Sequence, residues 1–193
     1  MRFRFLSLTI ALFGCSPSTQ PDYYPLHIGD EWSWLVKVVM SDGKVMEGSL
    51  YDKTETTVEK NGKTYFRMRF WSEGPPKNIE KTNLKRKGEK GVYAINGRDE
   101  NASEEFEFGL PLYTGATWQH GKGENTATVL GLERVEIDGK TYENCYHVRE
   151  VNADGSFSED TWQTPKVGEI KSYSVFPTGI TVSATLKEFK PGK

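Results

Sequence analysis

The sequence contains few of the residues that most often mark a catalytic or metal site. It has two cysteines and three histidines among 193 residues. The histidines, His27, His120 and His147, lie more than four residues apart, and no cysteine or histidine pair has the spacing of zinc ligands. No Gly-x-Ser-x-Gly sequence marks a nucleophile elbow. We therefore expect no metal, no cofactor and no catalytic residue that the sequence alone identifies.

The chain also lacks a strong excess of either charge. Its formal net charge is −2 at pH 7, and a nucleic-acid partner would require a basic face, so we expect no nucleic-acid partner. Basic side chains gather between residues 77 and 90, and acidic ones between residues 99 and 107. We interpret these blocks as a solvated hairpin whose charges offset those of the next strand. Contact of the basic block with anionic lipid headgroups is the alternative.

A long hydrophobic run is missing as well. The apolar stretch at residues 5–13 is nine residues long, whereas a membrane-spanning helix needs roughly 20. It follows Arg2 and Arg4, which is the layout of a cleaved export signal. We predict that residues 1–14 are a signal peptide.

The run Leu12-Phe13-Gly14-Cys15, which ends this stretch, resembles the lipobox of bacterial lipoproteins. In that family the cysteine thiol is acylated, as by palmitate, and the chain is cut before it. The resemblance implies lipidation at Cys15 and an exported, membrane-anchored protein; an ordinary secretory signal is the alternative. Ser16, where that family usually has aspartate for inner-membrane retention, implies the outer membrane, at its periplasmic face or at the cell surface.

The segment after the cysteine has a different composition from the rest of the chain. Residues 15–22 are polar and include two prolines, which is typical of a tether. We predict one β domain over residues 23–190, with Cys145 as a buried side chain in it. Alignment with a similar segment earlier in the chain predicts that His147 also faces inward. The alternation of apolar residues within residues 141–151 instead predicts the opposite register, which would exchange the inward and outward faces of this strand.

Two sequence blocks recur in the same order. They are Pro25–Trp32, which recurs as Pro111–Trp118, and Val58–Tyr65, which recurs as Val135–Tyr142. We interpret them as an internal duplication with halves near 22–108 and 109–190.

Turn residues indicate the fold class. Dipeptides of the type found in tight hairpins occur five times, at positions 42–43, 61–62, 96–97, 138–139 and 154–155. We expect both residues of each dipeptide to take positive φ. The apolar side chains of Trp32, Trp34, Val36 and Val38 alternate with others, as in a strand with one buried face. The sequence predicts an all-β antiparallel meander that forms a strongly curved sheet or open barrel; a β-sandwich is the alternative.

Aromatic residues make up 12% of the chain and supply the candidate binding residues. Trp34, Trp71 and Trp162 have no partner in the recurring blocks. A cleft lined by them would suit an apolar or sugar ligand, and packing in the core is the alternative.

The sequence Trp162-Gln163-Thr164-Pro165-Lys166-Val167-Gly168-Glu169-Ile170-Lys171, together with the opening Tyr23-Tyr24-Pro25-Leu26, resembles β-rich bacterial envelope lipoproteins with no assigned activity. This implies a non-enzymatic binding or structural role. The partner would be an envelope protein, a polymer or an apolar ligand. The alternative is a hydrolase acting on an envelope polymer, which two carboxylates in one cleft, or an acid within reach of His147, would favour.

Overall fold

A computed structural model describes residues 20–74, 79–96, 102–120 and 124–192. The predicted signal peptide and Cys15 lie outside these ranges. In the described residues all regular structure is β-strand, and no helix there is long and apolar enough to cross a membrane. The twelve strands are β1 (Glu31–Val39), β2 (Val45–Lys60), β3 (Lys63–Glu73), β4 (Glu80–Gly88), β5 (Gly91–Asn96), β6 (Glu105–Gly109), β7 (Thr117–His120), β8 (Asn125–Ile137), β9 (Lys140–Asn152), β10 (Ser158–Thr164), β11 (Gly168–Val175) and β12 (Thr181–Lys190).

All twelve strands belong to one antiparallel sheet with the order β6-β5-β4-β3-β2-β1-β12-β11-β10-β9-β8-β7. Strands β1–β6 form one meander and β7–β12 form a second. Pairing of β1 with β12 joins them, with Val36 opposite Ala184. The predicted all-β antiparallel meander with strong curvature is confirmed, because a sandwich would require two sheets.

The sheet curves until its two outer strands meet. In the described residues, β6 and β7 are not neighbours in the hydrogen-bonded order. Side chains fill this seam instead: the rings of Phe108 and Trp118 lie edge to face, with centroids 5.1 Å apart. Gly109 lies beneath Trp118, so closely that a Cβ atom there would come within 2.6 Å of the indole ring. The result is a nearly closed barrel.

Strand β1 shows why this sequence buries one face of the sheet. Trp32, Trp34, Val36 and Val38 are each 6–9% exposed, as the alternation predicts. Successive side chains of a strand point to opposite faces, so Leu35, between two of them, is 49% exposed.

The hairpin turns follow the prediction only in part. Asn61-Gly62 and Asp138-Gly139 have positive φ at both residues, and each directly joins two strands. At Gly43 and Gly155 only the glycine has positive φ, so the expectation was wrong there. Strand β1 ends at Val39 and β2 begins at Val45, and loops of this length commonly use a different turn that ends in a left-handed glycine.

The recurring blocks occupy matching places in the two meanders. One pair leads into β1 and into β7, and the other forms the β2–β3 and β8–β9 hairpins. The duplication itself stays an interpretation.

The end of the predicted tether lies against the barrel. The Gln20 side-chain oxygen accepts a hydrogen bond from the backbone N–H of Leu112 at 3.0 Å. The Asp22 carboxylate accepts from Lys87 at 2.7 Å, and the Asp22 carbonyl accepts from the Lys166 N–H. Residues 20–22 therefore belong to the folded unit.

Candidate ligand cavity

The barrel contains a cavity of about 340 Å³ that is partly open to solvent. Every strand except β5 contributes a lining residue, and so does the segment that leads into β1, through Tyr24 and Pro25. This position inside a curved sheet follows from the strand period of two, which points every second side chain inward. Gly168, with φ of 86°, lets the chain pass close to Pro25, where a Cβ atom would come within 3.2 Å of the proline ring.

Much of the cavity wall is apolar. Aromatic and aliphatic side chains come from both meanders, and the apolar lining residues are Tyr24, Pro25, Trp32, Trp34, Leu50, Met68, Phe70, Phe108, Trp118, Ala127, Val148, Val167 and Ala184. Ligand pockets in proteins are mostly apolar and aromatic, with a few polar groups that orient the ligand.

One polar group of the wall is centred on Lys85. Its ammonium group donates to Glu107 Oε1 at 2.6 Å and to the Tyr24 hydroxyl at 2.7 Å. Burial by itself lowers the pKa of Lys85, but the contacts with Tyr24 and Glu107 outweigh burial, and the pKa is raised. Burial, followed by the Glu107 charge, raises the pKa of Tyr24. Lys85 is therefore charged and Tyr24 neutral at physiological pH.

Lys85 and Arg86 also settle how the two charge blocks relate. Lys85 pairs with Glu107, and Arg86 donates to Glu104 Oε2 at 2.7 Å. The blocks do offset one another, as predicted, although β5 lies between β4 and β6. The expected solvation is wrong for Lys85, whose side chain is 15% exposed and lines the cavity.

A second polar group lies on the opposite meander. His120 Nδ1 is 2.9 Å from Glu150 Oε2, and Asn125 donates to Glu150 Oε1 at 2.6 Å. The contact with Glu150 raises the pKa of His120. Burial raises the pKa of Glu150, but the bonds from His120 and Asn125 outweigh it and leave that pKa lowered. Glu150 is thus held as a carboxylate.

Three further carboxyl groups line the cavity, those of Asp52, Glu159 and Glu169. Burial raises the pKa of each, and for Glu169 burial together with the charge of Glu159 raises it to about 8. Ser174 donates to Glu159 at 2.7 Å. Glu169 is therefore largely protonated at neutral pH.

Several buried polar atoms near the cavity have no hydrogen-bond partner. In the described part of the chain there are four such side-chain atoms, and three belong to residues that line the cavity: Trp34 Nε1, Glu107 Oε2 and Gln163 Oε1. The Trp34 indole lies near the Asp52 carboxyl and lowers its pKa, but the pair does not reach hydrogen-bond geometry. Buried polar groups are nearly always paired, so these three atoms are available to a ligand or to water in the cavity.

The structure does not bring the three predicted tryptophans together. Trp34 lines the cavity. Trp71 stacks on Tyr51, with centroids 5.0 Å apart, and Trp162 stacks on His147 at 4.5 Å. Neither Trp71 nor Trp162 is among the lining residues, and both fall between inward-facing neighbours on their strands.

The segment around Cys145 combines both predicted registers. Cys145 is fully buried, so that prediction is confirmed. His147 does not face the cavity, because its neighbour Val148 does. Asn144, with φ of 56°, marks an irregularity between Tyr142 and Cys145, where the pairing of β9 with β8 shifts.

His147 lies between two acids on the outer face. Its Nδ1 is 2.9 Å from Glu133 and its Nε2 is 2.6 Å from Asp160. Trp162 Nε1 donates to Glu133 at 2.8 Å. His147 therefore has an acid within hydrogen-bonding reach of each ring nitrogen, which is the arrangement that would favour a hydrolase.

No cluster of metal-ligating side chains occurs in the described ranges. Sequence reasoning missed Lys85, Asp52, Glu159 and Glu169 as lining residues. Asp52 lies two positions after the apolar Leu50 on β2, so both side chains lie on the same face of the strand. This pattern could have identified Asp52 as an inward-facing residue.

No protein-family model matches the chain, and no curated protein matches its sequence. Solved structures resemble its fold. A protein from Bacteroides fragilis, classed as exported and having a YmcC-like fold, superposes with a TM-score of 0.55 at 11% identity, over 89% of this chain and 100% of that one. A protein from Parabacteroides distasonis, classed as a lipoprotein, superposes with a TM-score of 0.41 at 12% identity, over 88% of this chain and 99% of that one. A LolA-superfamily protein from Nitrosomonas europaea superposes with a TM-score of 0.32 at 8% identity, over 88% of each chain. The chain therefore shares its fold with the first of these proteins.

Proposed function

We propose that this is a non-enzymatic binding protein of the bacterial envelope that holds a small apolar ligand inside its barrel. The cavity carries the proposal. Its volume of about 340 Å³ lies in the range of ligand pockets, roughly 300–1,000 Å³. Its wall is aromatic and aliphatic, and the unpaired polar atoms of Trp34, Glu107 and Gln163 belong to that wall.

The location rests on the start of the chain. The short apolar run after Arg2 and Arg4, and the lipobox-like sequence that ends at Cys15, support export and attachment to a membrane, and Ser16 favours the outer membrane. Residues 20–22 are bound to the barrel, so at most five residue steps separate the anchor from the folded unit. This distance is at most about 18 Å, so the barrel would stay at the membrane surface.

The proposal is tested by filling the cavity. Ala184 lines it and is 9% exposed. Ala184→Phe would place a ring in the space, and we expect decanol binding, measured by calorimetry, to weaken at least about tenfold because the ligand loses buried apolar contact. The matched control is Ala153→Phe on the exposed loop before β10, which should bind like the parent. Circular dichroism checks that both variants fold. Equal binding by both variants would refute the proposal.

A hydrolase is the second candidate, and two observations favour it. The first is that Glu133 and Asp160 lie within hydrogen-bonding reach of His147 on the outer face, and the second is a pair of carboxyl groups in the cavity. Glu169 is largely protonated and Glu150 is ionised in the same cavity, as acid–base catalysis by two carboxyl groups requires. The cavity is small for a polymer chain, which supports ligand binding instead. Release of fragments from purified envelope polymer by the parent, and not by Glu169→Gln, would favour the hydrolase.

A further inference from the structure

The cavity contains more acid than base. Its described lining has five carboxyl groups and two basic side chains. Two of the carboxyl groups are already paired: Glu107 with Lys85, and Glu150 with His120. The remaining three, Asp52, Glu159 and Glu169, form no ion pair with any residue in the described ranges.

These three carboxyl groups come from different strands and act on one another. Burial raises the pKa of Glu169, the charges of Glu159 and Asp52 raise it further, and the charge of Lys85 opposes them in part. A carboxylate buried without a cation is costly, and it responds by holding a proton. Lys85 therefore compensates this acidic side of the cavity only in part, and a second cation would stabilise the ionised carboxyl groups.

A second observation points to a ligand that donates hydrogen bonds. Gln163 is 3% exposed and lines the cavity, yet its Oε1 has no donor. Glu107 Oε2 also lacks one. Both atoms are acceptors, and a primary ammonium group offers three donors. The third unpaired atom of the wall, Trp34 Nε1, is a donor and lies near the Asp52 carboxyl. The aromatic rings of Trp34, Phe70 and Trp118 in the same wall attract cations through their faces.

We infer that the cavity takes an amphipathic primary amine, with its ammonium group among Asp52, Glu159 and Glu169 and its hydrocarbon part along the aromatic wall. This inference rests on the proposed binding function and names the chemistry of the ligand. An anion of the same size would be repelled by the ionised carboxyl groups, and a neutral molecule would add no charge to stabilise them.

The cavity volume sets the size of the probes. At roughly 30 Å³ per water, about 340 Å³ holds on the order of eleven water-sized atoms. Decylamine, decanol and decanoate fit this size closely and differ chiefly in the charge of the head group. Their affinities for the full-length protein, purified without detergent and measured by calorimetry at pH 7.5, isolate the effect of that charge.

We expect decylamine to bind on the order of 10- to 100-fold more tightly than decanol, as a charge-assisted hydrogen bond adds, and decanoate to bind weakest. Equal or tighter binding of decanol would overturn the amine while leaving an apolar binding protein in place. If none of the three binds, the proposed function fails with it.

Substitutions test where the ammonium group of the ligand lies in the cavity. Glu169→Gln should abolish most of the preference for decylamine over decanol, because it removes a carboxyl group without changing the cavity volume. Glu47→Gln, on the exposed side of β2, is the matched control and should keep the preference. An unchanged preference in Glu169→Gln, in a protein that still binds decanol, would overturn the assignment.

Proton release provides an independent test. Glu159, Asp52 and Lys85 face Glu169 from β10, β2 and β4, with Ser172 on its own strand. Binding of ammonium favours the ionised carboxyl, so decylamine binding should release protons below about pH 8, the pKa of Glu169. Affinity should then rise with pH from 6 to 8, by on the order of tenfold per unit for one proton, while decanol affinity stays constant. The same pH dependence for decanol would contradict the inference.

Discussion

The Lys85–Glu107 pair offers a direct measurement of how dry the barrel interior is. Lys85→Met removes the ammonium group and keeps a side chain of similar length. Glu107, whose Oε2 has no partner even in the intact protein, would then lose its cation as well. Breaking a buried ion pair by removing one partner costs about 3–5 kcal/mol. The side chains are 15% and 25% exposed, so we expect the lower end, about 3 kcal/mol.

Urea denaturation followed by tryptophan fluorescence measures this change as a lower midpoint concentration with an unchanged m value. In a domain of this size about 3 kcal/mol corresponds to a fall in Tm of roughly 6–12 °C. The matched control is Lys53→Met. Lys53 pairs with Glu31 at 3.2 Å on the outside, at 43% and 29% exposure, and such pairs contribute less than about 1 kcal/mol.

The double variant Lys85→Met/Glu107→Gln separates the ion pair from the packing. It removes both charges, so it should recover at least half of the lost stability. A loss in Lys85→Met no larger than in Lys53→Met would refute the reasoning, because water in the cavity would then be solvating the pair. A double variant as unstable as the single one would show that packing, not charge, causes the loss.

Two further predictions concern the seam and the anchor. Gly109→Ala should lower the free energy of unfolding by about 1–3 kcal/mol, because the added methyl group meets the Trp118 ring. The control Gly131→Ala on β8, which has open space around it, should leave stability unchanged. Equal effects of the two substitutions in thermal melts would contradict the packing of Trp118 on Gly109 at the seam. Cys15→Ser should remove the acyl mass seen by mass spectrometry and release the protein from membranes, and an unmodified parent that fractionates like the variant would disprove the lipid anchor.

Local features of the fold could be predicted from the sequence because they depend on neighbouring residues. Alternation alone places Trp32 and Trp34 on the buried face of β1. Asn61-Gly62 specifies its own turn, since both residues tolerate positive φ. The curved antiparallel sheet follows from a series of such strands and turns.

The cavity could not be predicted in the same way, because it depends on which distant strands meet. Nothing near β1 specifies that β12 pairs with it, or that Phe108 and Trp118 close the seam. The alternation of apolar residues does not show the register shift at Asn144, between Tyr142 and Cys145. Lys85 belongs to a basic run that looks solvated, and only closure of the barrel turns it inward.

A short stretch of chain separates the predicted anchor, Cys15, from the residues that line the cavity. Tyr24 and Pro25 line the cavity, and Tyr24 accepts a hydrogen bond from the buried Lys85. Both residues follow closely on Gln20 and Asp22, which are bound to the barrel. With a lipid on Cys15, the wall of the cavity would begin within ten residues of the bilayer. An amphipathic amine partitions to a membrane surface, because its two ends prefer different environments, so this arrangement would hold the cavity where such a ligand is concentrated.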